Sequence, residues 1–392
     1  MSANGSTPSY FPNLTGLRGV AAGWVLVFHA WQFSGGPALR LPLAVATLDF
    51  TPLAQCGYFG VDLFFVLSGF LLSIPFHRAL AARRAWPSLK QFWINRCRRV
   101  LPAYWLQLAI LAAVYLYLGR SDLDNLRNLF AHGLLIQNLV PWPAPLLNPV
   151  YWSMPVEWDF YVILPLLVLL LARCRWWLAL LAVLVWVLTF RLLCYTAWFD
   201  HELARWLSYP DVQQLPARLD QFFYGVLAAW IFVFRPRWAK FASLWILVGL
   251  VGLAVMVHFA APRGDFLVRI DAPYLFFHHS VVAAAFACLT LGAAGRTRLG
   301  SLLLGNLPLG FLGLISYSLY LWHYPLLQLA QGRGWLDGSL APAWLLVLGV
   351  AVPVIILTAW LSYRYVERPF LAAASRFAPR IESETGAISS RT

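Results

Sequence analysis

Charge is scarce in this chain. Only 11% of its 392 residues are Asp, Glu, Lys or Arg, where an ordinary soluble protein carries roughly 25%. Hydrophobic residues make up 61%, and the mean hydropathy is +0.68. One water-soluble core cannot hide that much apolar surface, which excludes a soluble globule. Cysteine is also sparse. Cys56, Cys97, Cys174, Cys194 and Cys288 are scattered with neither metal-ligand nor redox spacing, and this argues against a disulfide framework or a zinc module. The acidic side of the charge balance is thin: 16 Asp and Glu stand against 29 Lys and Arg, a net charge of +13 carried almost wholly by arginine. In a soluble protein that excess would suggest nucleic acid. Here the arginines sit in short loops between apolar runs, so they speak of membrane orientation and no nucleic-acid partner is implied. No basic front region precedes the first apolar segment, since Arg18 already lies inside it. A cleaved leader is therefore not indicated, and the first segment is expected to stay as a span.

Long apolar runs recur from end to end. In lipid the backbone can satisfy its polar groups only within itself, so the expected fold is all-α, a polytopic membrane helical bundle. A crossing needs about 20 residues. Ten spans are expected on that ruler, near 14–34, 54–76, 100–118, 155–172, 176–197, 220–234, 241–260, 274–294, 309–330 and 342–363. Part of 122–140 reads as a re-entrant or interfacial helix. Residues 1–370 form one membrane domain, and 371–392 read as a polar, disordered tail. Placing both termini in the cytoplasm puts 19 loop and tail Lys and Arg inside and 8 outside, the expected bias.

Some residues do not belong in lipid. Arg18 and His29 are eleven positions apart, which brings them to one face of the first helix, about 16 Å apart along its axis. Buried ionisable groups in a membrane face a bundle interior or a wet cavity. Arg18 also admits a simpler reading as a snorkelling side chain, and His29 as interhelical glue. Asp62 lies in the second span and is a candidate substrate contact; it could also cap a helix, orient a partner or form a structural pair with an arginine. Gly69, in the same span, reads as a packing residue. Glu157 and Asp159 open the fourth span, where the helix dipole favours acids. The start of this span is expected at about the depth of His29, and a carboxylate beside an imidazole orients it and raises its basicity, so Glu157 is taken as a site residue. Tyr320 and His323 share a face of the ninth span and are candidate substrate contacts, with an aromatic belt as the alternative. Arg96 and Arg99 share a face entering the third span, where guanidinium forks suit phosphate. Cations at one mouth and an imidazole deeper on the same face would suit a phosphate-bearing donor with a thin arm, with a polar tunnel through the bundle joining the two.

Six stretches, in order, resemble the acyltransferase-3 family of O-antigen acetylase-like membrane enzymes: LTGLRGVAAGWVLVFHA, GVDLFFVLSGFLLS, RCRRVLPAYW, YWSMPVEWDFYVILP, SYSLYLWHYPLL and SYRYVERPFL. The resemblance covers roughly residues 13–370. It implies acyl transfer from acyl-CoA, often acetyl-CoA, to a hydroxyl of a glycan, glycolipid or similar envelope acceptor in a bacterial inner membrane, with no metal. It makes His29 the catalytic histidine and Arg18 its family-typical arginine. Arg96 and Arg99 fall on arginines linked with donor binding, and Glu157 on the carboxylate of the fourth block. Two positions depart from the pattern. Thr15 stands where an aspartate is common, and Asn95 replaces the first arginine of a frequent doublet, which shifts the donor site toward Arg98. No soluble esterase-like domain follows the bundle, so a second transfer step would call for a separate periplasmic partner. The rival readings are a transporter or flippase whose buried charges line a solute or proton pathway, and a non-catalytic membrane scaffold whose basic loops serve anionic membrane lipids.

Overall fold

The structure is a computed structural model that describes residues 11–42, 47–118, 126–139, 147–198, 214–260, 272–295, 297–336 and 343–376. The expected all-α membrane fold is present. The long helices are α1 (Pro12–Phe33), α2 (Phe59–Ala81), α3 (Leu89–Tyr117), α4 (Ser153–Arg173), α5 (Trp176–Trp198), α6 (Leu215–Phe234), α7 (Ala242–Ala260), α8 (Ala272–Ala294), α9 (Ser316–Gly332) and α10 (Val352–Ser362). Among the described residues eight helical segments are long and apolar enough to cross a membrane: seven lie on α2 to α8, and one continues α10 over Val347–Ala372. The other two expected spans fall short of that measure, one through its polar residues and one through a break in the helix. α1 has 22 residues but carries Arg18 and His29. The ninth span is interrupted at Ile315, leaving helices of 8 residues (Leu307–Leu314) and 17 residues (α9).

Several boundaries differ from the apolar ruler. α3 starts eleven residues before its expected span, where the Ser88 side chain accepts a hydrogen bond from the Gln91 N–H at 3.3 Å and caps the helix. At about 1.5 Å per residue a helix of 29 residues outruns a hydrocarbon core of about 30 Å. Its basic first turns therefore stand at the membrane edge. The segment expected to be re-entrant or interfacial contains a short helix, Leu126–Gly133, with Asn128 and His132 buried and Phe130 exposed. A two-stranded antiparallel hairpin follows α1 and pairs Arg40 with Asp49. Helix Arg368–Arg376 takes in the first residues of the expected tail, and 377–392 lie outside the described residues.

α2 is the central helix, buried along most of its length, whereas α5 and α7 expose Leu181, Val185, Leu247 and Val251 as lipid-facing surface does. Glycines set the closest crossing. A Cβ on Gly69 of α2 would overlap the Phe222 carbonyl, and one on Gly225 of α6 would overlap the Val66 carbonyl. Small residues on both helices thus let the backbones meet, which is the packing role expected of Gly69. Beside this crossing Phe65 and Phe160 stack on Phe222 at 4.5 and 4.2 Å between centroids. Gly69→Val should destabilise the fold by about 1–3 kcal/mol through overpacking, read as a lower melting temperature in detergent. Wild-type melting would mean that the two backbones do not touch.

α1 and α9 run parallel. Arg18 near the start of α1 donates to Ser316 Oγ at the start of α9, and His29 near the end of α1 meets His323, seven residues further along α9. The helices that carry the polar residues of the opening stretch therefore lie side by side, and this contact places the site.

Candidate active site

One cavity of about 120 Å³ opens between α1, α2, α3, α4 and α9. Arg18, Arg96, Arg99, Glu157, Ser68, Ser316 and Tyr161 supply its polar wall, and Val61, Phe64, Leu67, Leu71, Val100 and Met154 much of its apolar wall. Helix period explains the basic side. Positions 96, 99 and 100 of α3 share a face, while Arg98 is turned about 100° from Arg99 and does not line the cavity. The arginines of the cavity wall are thus Arg18, Arg96 and Arg99, and Arg98, expected to share the task, is not on this wall.

The three guanidiniums are not equivalent. Arg99 Nη1 donates to Glu367 Oε2 at 2.8 Å, and Glu367 is itself 1% exposed and bonded to Ser318 Oγ at 2.5 Å. A π-helical turn over Tyr363–Glu367 brings this carboxylate inward, one of the devices by which a helix re-aims a side chain. Arg96 lies 6.0 Å from the ring centroids of both Phe92 and Tyr161, within reach of a cation–π contact. Among the described residues neither Arg18 nor Arg96 forms an ion pair. Guanidinium has five donors, and the only hydrogen bond of Arg18 among these residues goes to Ser316. The wall keeps unspent donors and an excess of positive charge, as an anion-binding mouth does.

Glu157 is on the same wall, where its Oε1 accepts from Ser68 Oγ at 2.7 Å. The expected contact between Glu157 and His29 is not formed. The partner of His29 is His323, with His29 Nδ1 3.1 Å from His323 Nε2 and 3.1 Å from the Val25 carbonyl. His323 Nδ1 in turn faces the Leu319 carbonyl at 3.1 Å. His323 is buried; His29 is half-buried, and its Nε2 bonds to no described residue. Aromatic rings of Phe28 and Tyr324 stand 4.9 and 5.2 Å from the His29 ring.

The cavity stops one ring short of this pair. Tyr320 lines its end, with Phe64 at 6.1 Å on one side and His323 at 5.7 Å on the other, centroid to centroid. The Tyr320 hydroxyl is held by Ser153 Oγ at 2.7 Å and donates to the Val150 carbonyl at 3.0 Å. An open passage from basic mouth to imidazole is therefore replaced by a closed one with Tyr320 as its wall. The same turn of α9 is clamped from behind. Pro325 has no N–H to give the carbonyl of Leu321 four residues earlier, and Gln107 and Asn148 fill the vacancy at 2.7 and 3.0 Å.

Asp62 is not on the cavity wall. It sits in a second buried group, where Arg218 approaches it at 3.4 Å and His279 Nδ1 lies 2.9 and 3.1 Å from its two oxygens. Beside them Arg191 grips Asp220 at 3.0 and 3.1 Å and the carbonyls of Ala217 and Phe276, and Ser280 Oγ bonds Asp220 as well. Sequence reasoning passed over Arg191 and Asp220, although an arginine in mid-span is itself the signal that a buried partner exists. It also gave no role to Glu367, the acid inside SYRYVERPFL.

Fold and site together define a multi-pass membrane protein with an arginine-lined cavity beside a histidine pair. The family model described as acyltransferase domain (Acyl_transf_3) matches residues 11–363, and the chain belongs to that family. It is similar to the peptidoglycan O-acetyltransferase OatA of Listeria monocytogenes, 25% identical over 383 residues that cover 92% of this chain and 56% of that protein. It is also similar to the O-acetyltransferase OatA of Staphylococcus aureus, at 24% identity over 93% of this chain and 57% of that one. The chain thus spans little more than half the length of these relatives. No solved structure matches it.

Proposed function

We propose that the chain is a membrane O-acyltransferase that moves an acyl group, acetyl by analogy with its relatives, from acyl-CoA to a hydroxyl of a cell-envelope glycan. Peptidoglycan is the acceptor suggested by the name of the Listeria relative. The membrane is the bacterial cytoplasmic one, with the basic mouth and both termini on the inner side. The observation that carries this reading is the pairing of a cationic wall, where Arg18 and Arg96 have no ion-pair partner among the described residues, with an imidazole pair beyond the cavity's apolar end.

Arg18, Arg96 and Arg99 hold the donor phosphates, and the arm occupies the apolar part of the cavity. The thioester reaches His29 when the Tyr320 ring swings aside and gives up its bonds to Ser153 and Val150. His29 Nε2 then takes the proton of the acceptor hydroxyl. The acceptor oxygen bonds to the acyl carbon, the carbon–sulfur bond breaks, and the departing CoA thiolate collects the proton from Nε2.

The test uses purified protein in nanodiscs, acetyl-CoA labelled in its acetyl group and a peptidoglycan oligosaccharide. Free CoA thiol and labelled oligosaccharide should appear together. Neither would appear for a transporter, and their absence overturns the reading. Arg96→Ala should raise KM for acetyl-CoA about 10–100-fold with kcat little changed, as loss of a charge-assisted bond predicts. An unchanged KM would take Arg96 out of donor binding.

A further inference from the structure

The histidine pair carries information about protons that the positions of the two rings alone do not. Val25 O and Leu319 O can only accept hydrogen bonds. His29 Nδ1 faces the first at 3.1 Å, so that nitrogen carries a proton. His323 Nδ1 faces the second at 3.1 Å, so it too carries a proton, which leaves His323 Nε2 as a lone pair. That lone pair points at His29 Nδ1 from 3.1 Å. One assignment satisfies all three contacts: both rings neutral, both protonated on Nδ1, with the His29 N–H shared between Val25 O and His323 Nε2. His29 Nε2 is then unprotonated and bonds to no described residue.

The bond to a carbonyl four residues back is generic for a helical histidine. His132 makes it to Asn128 O at 2.9 Å. The bond to a second imidazole is particular to His29. We infer that His323 is a positioning residue: as second acceptor for the Nδ1–H it fixes the ring orientation and tautomer of His29 and stabilises the imidazolium that forms when Nε2 takes up a proton. This rests on the general-base reading of His29 given above. The logic is that of a third group that orients a base. An imidazole fills the role here, in a buried setting where no carboxylate of the described residues bonds to either ring. The titratable groups facing the pair among the described residues are tyrosines: Tyr324 beside His29, Tyr320 beside His323, and Tyr58 behind Phe28. No described carboxylate or guanidinium is hydrogen-bonded to either ring.

An acceptor at Nδ1 favours the protonated ring, so its loss makes His29 harder to protonate. His323→Leu should lower kcat about tenfold, the size of one charge-assisted bond. The acid limb of its pH–rate profile should move to lower pH. His323→Gln, which can present an amide oxygen to the same N–H, should restore most of the rate and move the limb back. A kcat within twofold of wild type and an unmoved acid limb in His323→Leu would overturn the inference.

A second readout needs no turnover. Nitrogen-15 histidine spectra of the full chain in nanodiscs, compared with those of His29→Ala, isolate the His29 signals. They should report protonated Nδ1 and bare Nε2 at high pH, with a titration midpoint that falls in His323→Leu. A protonated Nε2, or a midpoint that stays in place, overturns the inference. If the spectra behave as expected and no variant or wild-type protein transfers acetyl groups, it is the acyltransferase reading that falls and the tautomer assignment that stands.

Discussion

Replacing His29 by alanine is expected to slow acyl transfer by about 10²–10⁴-fold, the contribution typical of a positioned general base. The base nitrogen has no substitute among the described residues. Among the groups near it, His323 spends both ring nitrogens, Nδ1 on Leu319 and Nε2 on His29. Glu157 is held by Ser68 on the other side of Tyr320. The tyrosines cannot accept a proton from an alcohol. The fold should survive, because His29 is half-buried while α1 is anchored elsewhere: a Cβ on Gly16 or Gly19 would overlap the carbonyls of Leu304 or Leu309. The measurement is labelled acetyl transfer beside a melting curve of the same preparation. His29→Gln keeps a hydrogen-bond donor toward His323 without a basic nitrogen and should be as slow as alanine. Transfer within a few-fold of wild type in either variant would remove His29 from the chemistry.

Asp62→Ala should give the largest loss of stability, about 3–5 kcal/mol, the range found when one partner of a buried ion pair is removed. Arg218 is 3% exposed and lies 3.4 Å from Asp62, with its guanidinium 5.3 Å over the Trp152 ring. Without the carboxylate Arg218 and His279 each lose a buried acceptor. The cluster also binds elements together: Asp62 belongs to α2, Arg218 and Asp220 to α6, Arg191 to α5, and His279 and Ser280 to α8. Two arginines and two aspartates balance their charge. An Asp62→Leu, Arg218→Met double variant should recover much of the loss, since replacing a whole buried pair by apolar groups is often neutral. Thermal unfolding in detergent reads both. If Asp62→Ala melts like wild type and instead raises KM for the acceptor, Asp62 is a substrate contact, as the sequence alone suggested, and not a structural tie.

The sequence by itself determined what depends on local period and composition. Runs of about 20 apolar residues marked the helical membrane fold. The eleven-residue spacing of Arg18 and His29 placed them on one face, and the structure sets both against α9. The three-residue spacing of Arg96 and Arg99 put both on the cavity wall. Tertiary structure decided what depends on neighbours far apart in the chain. His29 and His323 are 294 positions apart, Arg99 and Glu367 268, and Asp62 and His279 217. Glu157 was assigned to the imidazole because both were placed at similar depth. Depth is a property of one helix at a time, whereas contact depends on which helices pack and how each is rotated about its axis. Rotation is set by side-chain interlocking such as Gly69 against Phe222 and Gly225 against Val66. No single segment encodes that fit; it exists only once the partner helix is in place.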